Sequence, residues 1–395
     1  MKRLHLVANR VLPYPGGLQE SVIRIGAGLK HAGFPVRVYT LNQPEGYRCP
    51  PPGYPELPVV HLECPELLLE PYQEAELADL RAAEEARGRS LALERALADQ
   101  KRRHPEADHV LMSFYASGTG FLAQMAAANL GIPHIVSVRG TDLELDAFDA
   151  RKLCRLRTAI EGASLVVTTN RQQASALSAL FRLRRPVRVI HNALPEAASR
   201  PCWEPPPGET IRLVSDCGFS VRKATHLLLR AVAALLEAGR DVTLTVLGGI
   251  FWLESRPWWE AIQQRYQSAY PGRFFFPGHV GHDEVDRYLL SSHVYCSASL
   301  AEGSSLGRLR ALTLGIPIVA TAVGGIDEVV DGCRHVFLCP PADLEALTEA
   351  LATAVTAVRQ GSVRAEPACI EHVRRHFALE RERREWAAAV EACGC

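Results

Sequence analysis

The sequence predicts an α/β protein of two doubly wound, Rossmann-like domains, and three observations carry that expectation. The chain opens as strand, glycine loop, helix and strand. The same alternation restarts after a proline-rich stretch near the middle, and a patterned segment late in the chain sets small residues before a helix that stops at a glycine and enters a buried strand. At 395 residues the chain is too long for one ordinary domain and suits two, each long enough to bury a full core.

Taken in order, residues 4–8 read as a buried strand, followed by the Gly16-Gly17 loop, a helix over 19–32 and a strand over 36–40. Pro50-Pro51-Pro52-Gly53-Tyr54-Pro55 is an irregular loop. Residues 72–103 are polar and helical, with Leu77, Leu80, Leu93 and Leu97 as candidate buried positions. A strand over 109–112, a helix over 120–130 and strands over 134–138, 165–168 and 187–190 complete a domain over 1–194. Residues 195–210, with Pro205-Pro206-Pro207-Gly208, read as the linker. Beyond it come strands at 211–215, 242–247, 274–276 and 294–297 and helices at 226–238 and 283–292, in a second domain over 211–369. The last segment, 370–395, is helical by pattern over 370–392.

Composition is that of a soluble globular protein, 47% apolar and 22% charged, and 44 Lys+Arg against 44 Asp+Glu argue against nucleic acid as the main partner. Eleven cysteines, an odd number with no C-x-x-C pair, match neither a disulfide framework nor a zinc site, so reduced thiols are expected. The apolar run at the N-terminus is cut at Asn9 and Arg10, too short for a signal peptide, and no run approaches the roughly 18 apolar residues of a membrane span. A cytoplasmic protein is the expectation.

The late segment, 299–332, holds the chemistry. Glu302-Gly303-Ser304-Ser305-Leu306 precedes a helix that ends at Gly315-Ile316-Pro317, and a buried strand follows over 318–320. Unpaired N–H groups and the helix dipole make such an N-terminus an anion site, here for a diphosphate.

This segment resembles the signature of the retaining glycosyltransferases of family 4, which have the GT-B fold and in which Glu-Gly-x-x-x opens a helix carrying a second Glu eight residues on. Glu302 fits the first position and Arg310 occupies the second. The likeness runs in order through nearly the whole chain. Pro15-Gly16-Gly17 matches the family's N-terminal loop, Arg139-Gly140-Thr141-Asp142 its His-Gly-x-Asp with Arg139 in place of His, and His191-Asn192-Ala193 its Pro-Asn-Gly. Phe276-Pro277-Gly278-His279-Val280 is similar to its base-contacting turn, and 343–351 to its Asp-x-x-x-Leu-x-x-x-Leu helix. Of the family's phosphate-clamping Arg and Lys, Lys223 is present while Gly218 stands where the Arg belongs, with Arg222 alongside.

The resemblance implies two domains facing across a cleft, with the nucleotide on the C-terminal one and the helix of 370–395 packing back toward the N-terminal one. It implies a hexosyltransferase that moves sugar from a nucleotide-diphosphate donor, UDP-linked as the commoner case, to an acceptor hydroxyl, with retention and without a metal or other cofactor. Glu302, Lys223 and Arg139 would be catalytic; Gly16, Gly17, Gly218, Arg222, Val280, Gly303, Ser304, Ser305, Leu306 and Arg310 would line the donor site. No Asp-x-Asp is present to hold a metal on the diphosphate. The acceptor would be read by loops such as 48–56 and 72–103.

Plainer readings stand beside these. Glu302 suits a helix-start carboxylate, Lys223 a surface charge, and Arg139 a structural partner of Asp142 or Glu144. His279, His282 and His293 are spaced too irregularly for a metal. The basic runs at 151–157 and 181–188 could touch an anionic acceptor or a membrane surface, though a solvated face is simpler. Arg310 is expected to pair with a carboxylate and leave the ribose less specifically held, because guanidinium only donates. Arg139, Gly218 and Arg310 together motivate a rival: a catalytically weak or silent GT-B partner of an active transferase. Oligomeric state carries no signal.

Overall fold

The structure, a computed structural model, describes all residues except 15, 64–74, 195–202, 251–254, 331, 365–366 and 394–395, and excludes the side chains of 75–84 and 282–283. Pro15, Leu77, Leu80, the His282 side chain, the start of the polar helical segment and the first half of the expected linker therefore lie outside the described residues. The chain divides into two compact units, Met1–Asn192 with Glu380–Cys395, and Ala193–Leu379. The described part of the proline-rich stretch belongs to the second unit.

The strands are β1 (Lys2–Ala8), β2 (Val36–Thr40), β3 (Val59–His61), β4 (Asp108–Phe114), β5 (His134–Ser137), β6 (Leu165–Thr168), β7 (Arg188–Val189), β8 (Ile211–Ser215), β9 (Val242–Leu247), β10 (Phe274–Gly278), β11 (Val294–Ser297), β12 (Ile318–Thr321) and β13 (Val336–Cys339). The helices are α1 (Gly17–His31), α2 (Ala75–Arg103), α3 (Phe121–Leu130), α4 (Thr141–Glu144), α5 (Ala150–Gly162), α6 (Arg171–Leu180), α7 (Thr225–Glu237), α8 (Arg256–Ala269), α9 (His282–Leu290), α10 (Leu306–Leu314), α11 (Leu344–Arg359), α12 (Pro367–His376) and α13 (Leu379–Ala392). The sequence reading found most of these and missed β3, β13, α4, α5, α6 and α8.

The first unit is built on a seven-stranded sheet in the order β3-β2-β1-β4-β5-β6-β7, and every pairing in it is parallel. A central parallel strand is covered on both faces. In β1, Leu4, Leu6 and Ala8 accordingly join one core cluster while Val7 joins another. Trp386, Ala389 and Val390 of α13 pack into the same cluster as Leu4 and Leu6, and Arg24 of α1 forms a buried bidentate pair with Glu382, both bonds 2.8 Å. Lys2 Nζ donates to the carbonyls of Val390, Glu391 and Cys393 at the end of that helix.

The second unit carries a six-stranded parallel sheet, β10-β9-β8-β11-β12-β13. α10 is bounded by local chemistry. Ser305 caps it by accepting a hydrogen bond from the Arg308 N–H, and Gly315 closes it at φ 76°, a left-handed position that glycine takes without a Cβ penalty.

Two expectations are corrected here. The helical pattern over 370–392 is two helices, because Phe377 turns into the second unit's core and its carbonyl accepts from Leu194 N–H, which ends α12 before α13 begins. The cysteines are not all reduced thiols: Cys333 and Cys369 are joined in a disulfide, since the fold lays the approach to β13 against the first turn of α12.

Candidate functional site

In the second sheet, β8 sends its chain one way to β9 and β10, and β11 begins the other wing, so the C-terminal ends of β8 and β11 flank the point where strand order reverses. Open α/β sheets bind ligands outside such a point. Here it is bordered by Asp216 after β8 and by Ser299 to Glu302 after β11.

Glu302 is buried and ionised. Its Oε1 accepts from Lys223 Nζ at 2.5 Å and from Ser299 Oγ at 2.7 Å, and its Oε2 lies 3.5 Å from Arg222 Nη1. Burial alone would raise its pKa, but the charges of Lys223, Arg308 and Arg222 outweigh it and hold the carboxyl at about 2. Arg222 also donates to Ala301 O at 3.0 Å, its own carbonyl accepts from Leu300 N–H at 2.8 Å, and Thr321 Oγ1 donates to Ser299 O at 2.6 Å, so the loop bearing Glu302 is tied on both sides. Gly324, at φ +70°, leaves no room for a side chain: an added Cβ would sit 2.7 Å from Glu302 Cβ.

Lys223 is fixed by a turn. Its N–H donates to Ser220 Oγ, and the next residue, Ala224, adopts φ 48°, an uncommon backbone for alanine that cores and functional turns tolerate.

Two residues that the sequence reading missed complete the cluster. Arg308 is buried; Nη1 donates to Val323 O at 2.6 Å, while among the described residues Nε and Nη2 have no partner. Asp216 accepts from the Tyr295 hydroxyl at 2.8 Å and lies against the first turn of α10, where a Cβ on Gly307 would fall 1.7 Å from its Oδ2. No local pattern announces either contact.

The structure thus gathers Glu302, Lys223 and Arg222, and places Gly303, Ser304, Ser305 and Leu306 at the entry to α10. Gly218 is a turn residue at φ 62°; its N–H goes to Leu247 O and its carbonyl accepts from Thr225 Oγ1, so its polar groups are committed to the fold. Val280 packs half-buried on the core near β10. Arg310 is half-buried on α10. Because that helix starts at Leu306, Glu302 lies in the loop before it and not on the helix that carries Arg310.

In the first unit, Gly16 caps α1 at φ 149° and Gly17 opens it, both exposed. Arg139 follows β5. Its Nη2 donates to Asn192 Oδ1 at 2.5 Å and its N–H to Asp142 Oδ2 at 2.9 Å. Burial, then the nearby charge of Arg24, lowers the Arg139 pKa to about 10. Burial raises Asp142 to about 6 against backbone hydrogen bonds from Arg139 and Ala116, and among the described residues Asp142 Oδ1 has no side-chain partner.

Of the three histidines, His293 is structural, bonded at both ring nitrogens to Arg212 N and Pro206 O. His279 is exposed. Among the described residues, the group that could hold a metal is instead Cys333, His335 and Cys369, which spacing alone did not suggest. Also among the described residues, no helix is long and apolar enough to cross a membrane.

Residues 211–357 match the family model described as glycosyl transferases group 1, and residues 16–193 match the glycosyl transferase 4-like domain. Among curated proteins, one subunit of the human phosphatidylinositol N-acetylglucosaminyltransferase is 27% identical over 44% of this chain and 35% of its own length. The 2-deoxystreptamine glucosyltransferase of Streptomyces kanamyceticus is 26% identical over 62% of this chain and 67% of its own. The match to the human protein thus spans only about a third of its length. Among solved structures, sucrose-phosphate synthase from Thermosynechococcus elongatus superposes with a TM-score of 0.73 at 18% identity over 99% of this chain and 98% of that one. Anabaena Alr3699/HepE, in complex with UDP and glucose, gives 0.69 at 16% identity over 99% of both. At such identities the structural likeness speaks to the fold.

Proposed function

The chain belongs to the glycosyltransferases of GT-B fold, and from that premise we propose that it moves a sugar from a nucleotide-diphosphate donor to an acceptor hydroxyl, with retention and without a metal. The observation that carries this reading is the Glu302 carboxylate held ionised beside Lys223 and Arg222 at the sheet's reversal point. Lys223 and Arg222 neutralise Glu302. A donor diphosphate would compete for them, and the released carboxylate would accept hydrogen bonds from sugar hydroxyls. The bond from the anomeric carbon to the diphosphate oxygen breaks, the bond to the acceptor oxygen forms on the same face, and the acceptor proton passes to the departing diphosphate. Lys223, Arg222 and the N–H groups opening α10 stabilise the leaving charge, so positioning and electrostatics supply the catalysis. Similar folds solved with UDP or UDP-glucose support a UDP-linked donor.

The test is a thermal-shift panel of UDP, UDP-sugars and GDP-mannose, followed by transfer in EDTA with the anomeric configuration of the product read by NMR. Ligand at a hundred times its Kd stabilises by about 2.7 kcal/mol. An inverted product, or activity lost in EDTA and restored by magnesium or manganese, overturns the mechanism. A folded protein that no donor shifts overturns the donor reading in favour of a silent partner protein.

A further inference from the structure

The second unit holds a cluster that the transfer chemistry does not use. Cys333 lies just before β13, His335 immediately precedes that strand, and Cys369 sits in the first turn of α12. Their ligand atoms all lie within 4.8 Å of one another. Cys333 and Cys369, 36 residues apart, are joined as a disulfide. His335 is the informative member: it is 1% exposed, and among the described residues neither ring nitrogen has a partner. Buried polar groups are nearly always paired, so two orphaned nitrogens on one imidazole beside two sulfurs need a reason.

We propose that in the reduced chain Cys333, His335 and Cys369 form a site for a thiophilic divalent metal, zinc in the first instance, and that the disulfide is the oxidised, metal-free state of the same site. Two thiolates and one imidazole suit zinc, and three protein ligands leave a fourth position for water or an added ligand. Tetrahedral zinc would set the ligand atoms about 3.5 to 4 Å apart, so reduction followed by side-chain rotation suffices. Reduction delivers two electrons and two protons to the disulfide, either from a dithiol that itself becomes a disulfide or from a phosphine and water that leave as phosphine oxide, and zinc then displaces the two thiol protons. In the reverse step hydrogen peroxide takes two electrons from the bound thiolates and two protons from solvent, the S–S bond forms, zinc leaves as the divalent ion, and the peroxide becomes two waters. Bound zinc would staple α12 to the segment leading into β13, as the disulfide does. The cluster escapes sequence reading because a Cys-x-His pair with a distant third cysteine fits no common ligand spacing.

The test uses the full chain, reduced with a phosphine under nitrogen, desalted, equilibrated with zinc chloride and passed through gel filtration before elemental analysis. About one zinc per chain is expected in the reduced protein and less than about a tenth in the peroxide-oxidised one. Alkylation mapped by mass spectrometry needs no variant: zinc should slow labelling of Cys333 and Cys369 by at least about tenfold, while the exposed Cys49 and Cys154 react as before. Folded Cys369→Ser should lose the metal. A reduced chain that takes up no stoichiometric zinc, zinc that leaves labelling of Cys333 and Cys369 unchanged, or full retention of zinc by Cys369→Ser each overturns the proposal. Because transfer needs no metal in the reading above, zinc uptake and transfer activity are read separately.

Discussion

Lys223 Nζ lies 2.5 Å from Glu302 Oε1, so the group expected to hold phosphate and the group expected to hold sugar neutralise each other. Their roles still separate by variant. Glu302→Gln should cut transfer by about a hundredfold or more while leaving the Kd for free nucleotide within about threefold, since the carboxylate is assigned to sugar hydroxyls and its loss frees a cation. Lys223→Ala should weaken free-nucleotide binding by roughly ten- to a hundredfold, the usual worth of a charged hydrogen bond. Calorimetric titration of UDP into both variants checks this; equal loss of affinity would contradict the division of labour.

The ionisation of Glu302 makes stability acid-sensitive in a defined window. Its folded pKa is depressed from the usual 4.5 to about 2. The contribution is therefore fully present above pH 4.5 and lost as pH falls toward 2, and it amounts to on the order of 3 kcal/mol. Acid unfolding followed by circular dichroism should be flatter for Glu302→Gln than for the native chain between these values. Identical curves would mean that the carboxylate is not held by its cations.

Asp142 should act with the opposite sign. Its pKa is raised from 3.8 to about 6, so the protonated form is favoured in the fold, and the stabilisation is present below 3.8 and lost as pH rises through 6. Asp142→Asn should consequently be more stable than the native chain at pH 8, by about 1 to 3 kcal/mol, with the difference vanishing near pH 4. Urea melts at the two pH values decide it, and destabilisation at pH 8 would show that the buried charge has a partner worth more than its desolvation.

What could be read in the sequence was whatever a few neighbouring residues encode. The apolar run of β1, the Ser305 cap and the Gly315 stop of α10 are local signals, and the elements fall where those signals put them. α5 was taken for a basic surface run, yet Leu156, Ala159 and Ile160 are buried at helical spacing, so the signal was there and the arginines obscured it. The break between α12 and α13 has neither Gly nor Pro, and the helical period runs through it; only the burial of Phe377 shows the turn. The site contacts are long-range: Lys223 and Glu302 are 79 residues apart, Arg222 and Ala301 likewise. Family likeness brought Lys223 and Glu302 forward as candidates, but nothing in either segment states their pairing, or the positions of Asp216 and Arg308.

The Arg24 and Glu382 pair tests how the C-terminal segment supports the first unit. Both side chains are about 2% exposed or less, in a bidentate contact between α1 and α13. Removing one partner strands a buried charge, so Glu382→Ala should cost about 3 to 5 kcal/mol, whereas replacing both by apolar residues, Arg24→Met with Glu382→Leu, should recover most of it. Denaturant melts of the three proteins check the order, and a mild single variant would mean that water reaches the pair.

The last expectation concerns Gly307 and Asp216. Glycine inside a helix ordinarily costs up to about 1 kcal/mol relative to alanine, so Gly307→Ala would stabilise α10 if space allowed. Here the new methyl would meet the Asp216 carboxylate at 1.7 to 2.1 Å, and that carboxylate is held by the Tyr295 hydroxyl at 2.8 Å. Asp216 is too short to swing clear without breaking the bond to buried Tyr295. Overpacking of this kind costs about 1 to 3 kcal/mol, which exceeds the propensity gain, so Gly307→Ala alone should destabilise. In an Asp216→Ala background the obstruction is gone and the same change should stabilise by about 0.5 to 1 kcal/mol. The reversal of sign across the double-mutant cycle is the measurement, because each single variant also carries costs of its own. Additive effects would mean that Asp216 does not lie against the first turn of α10.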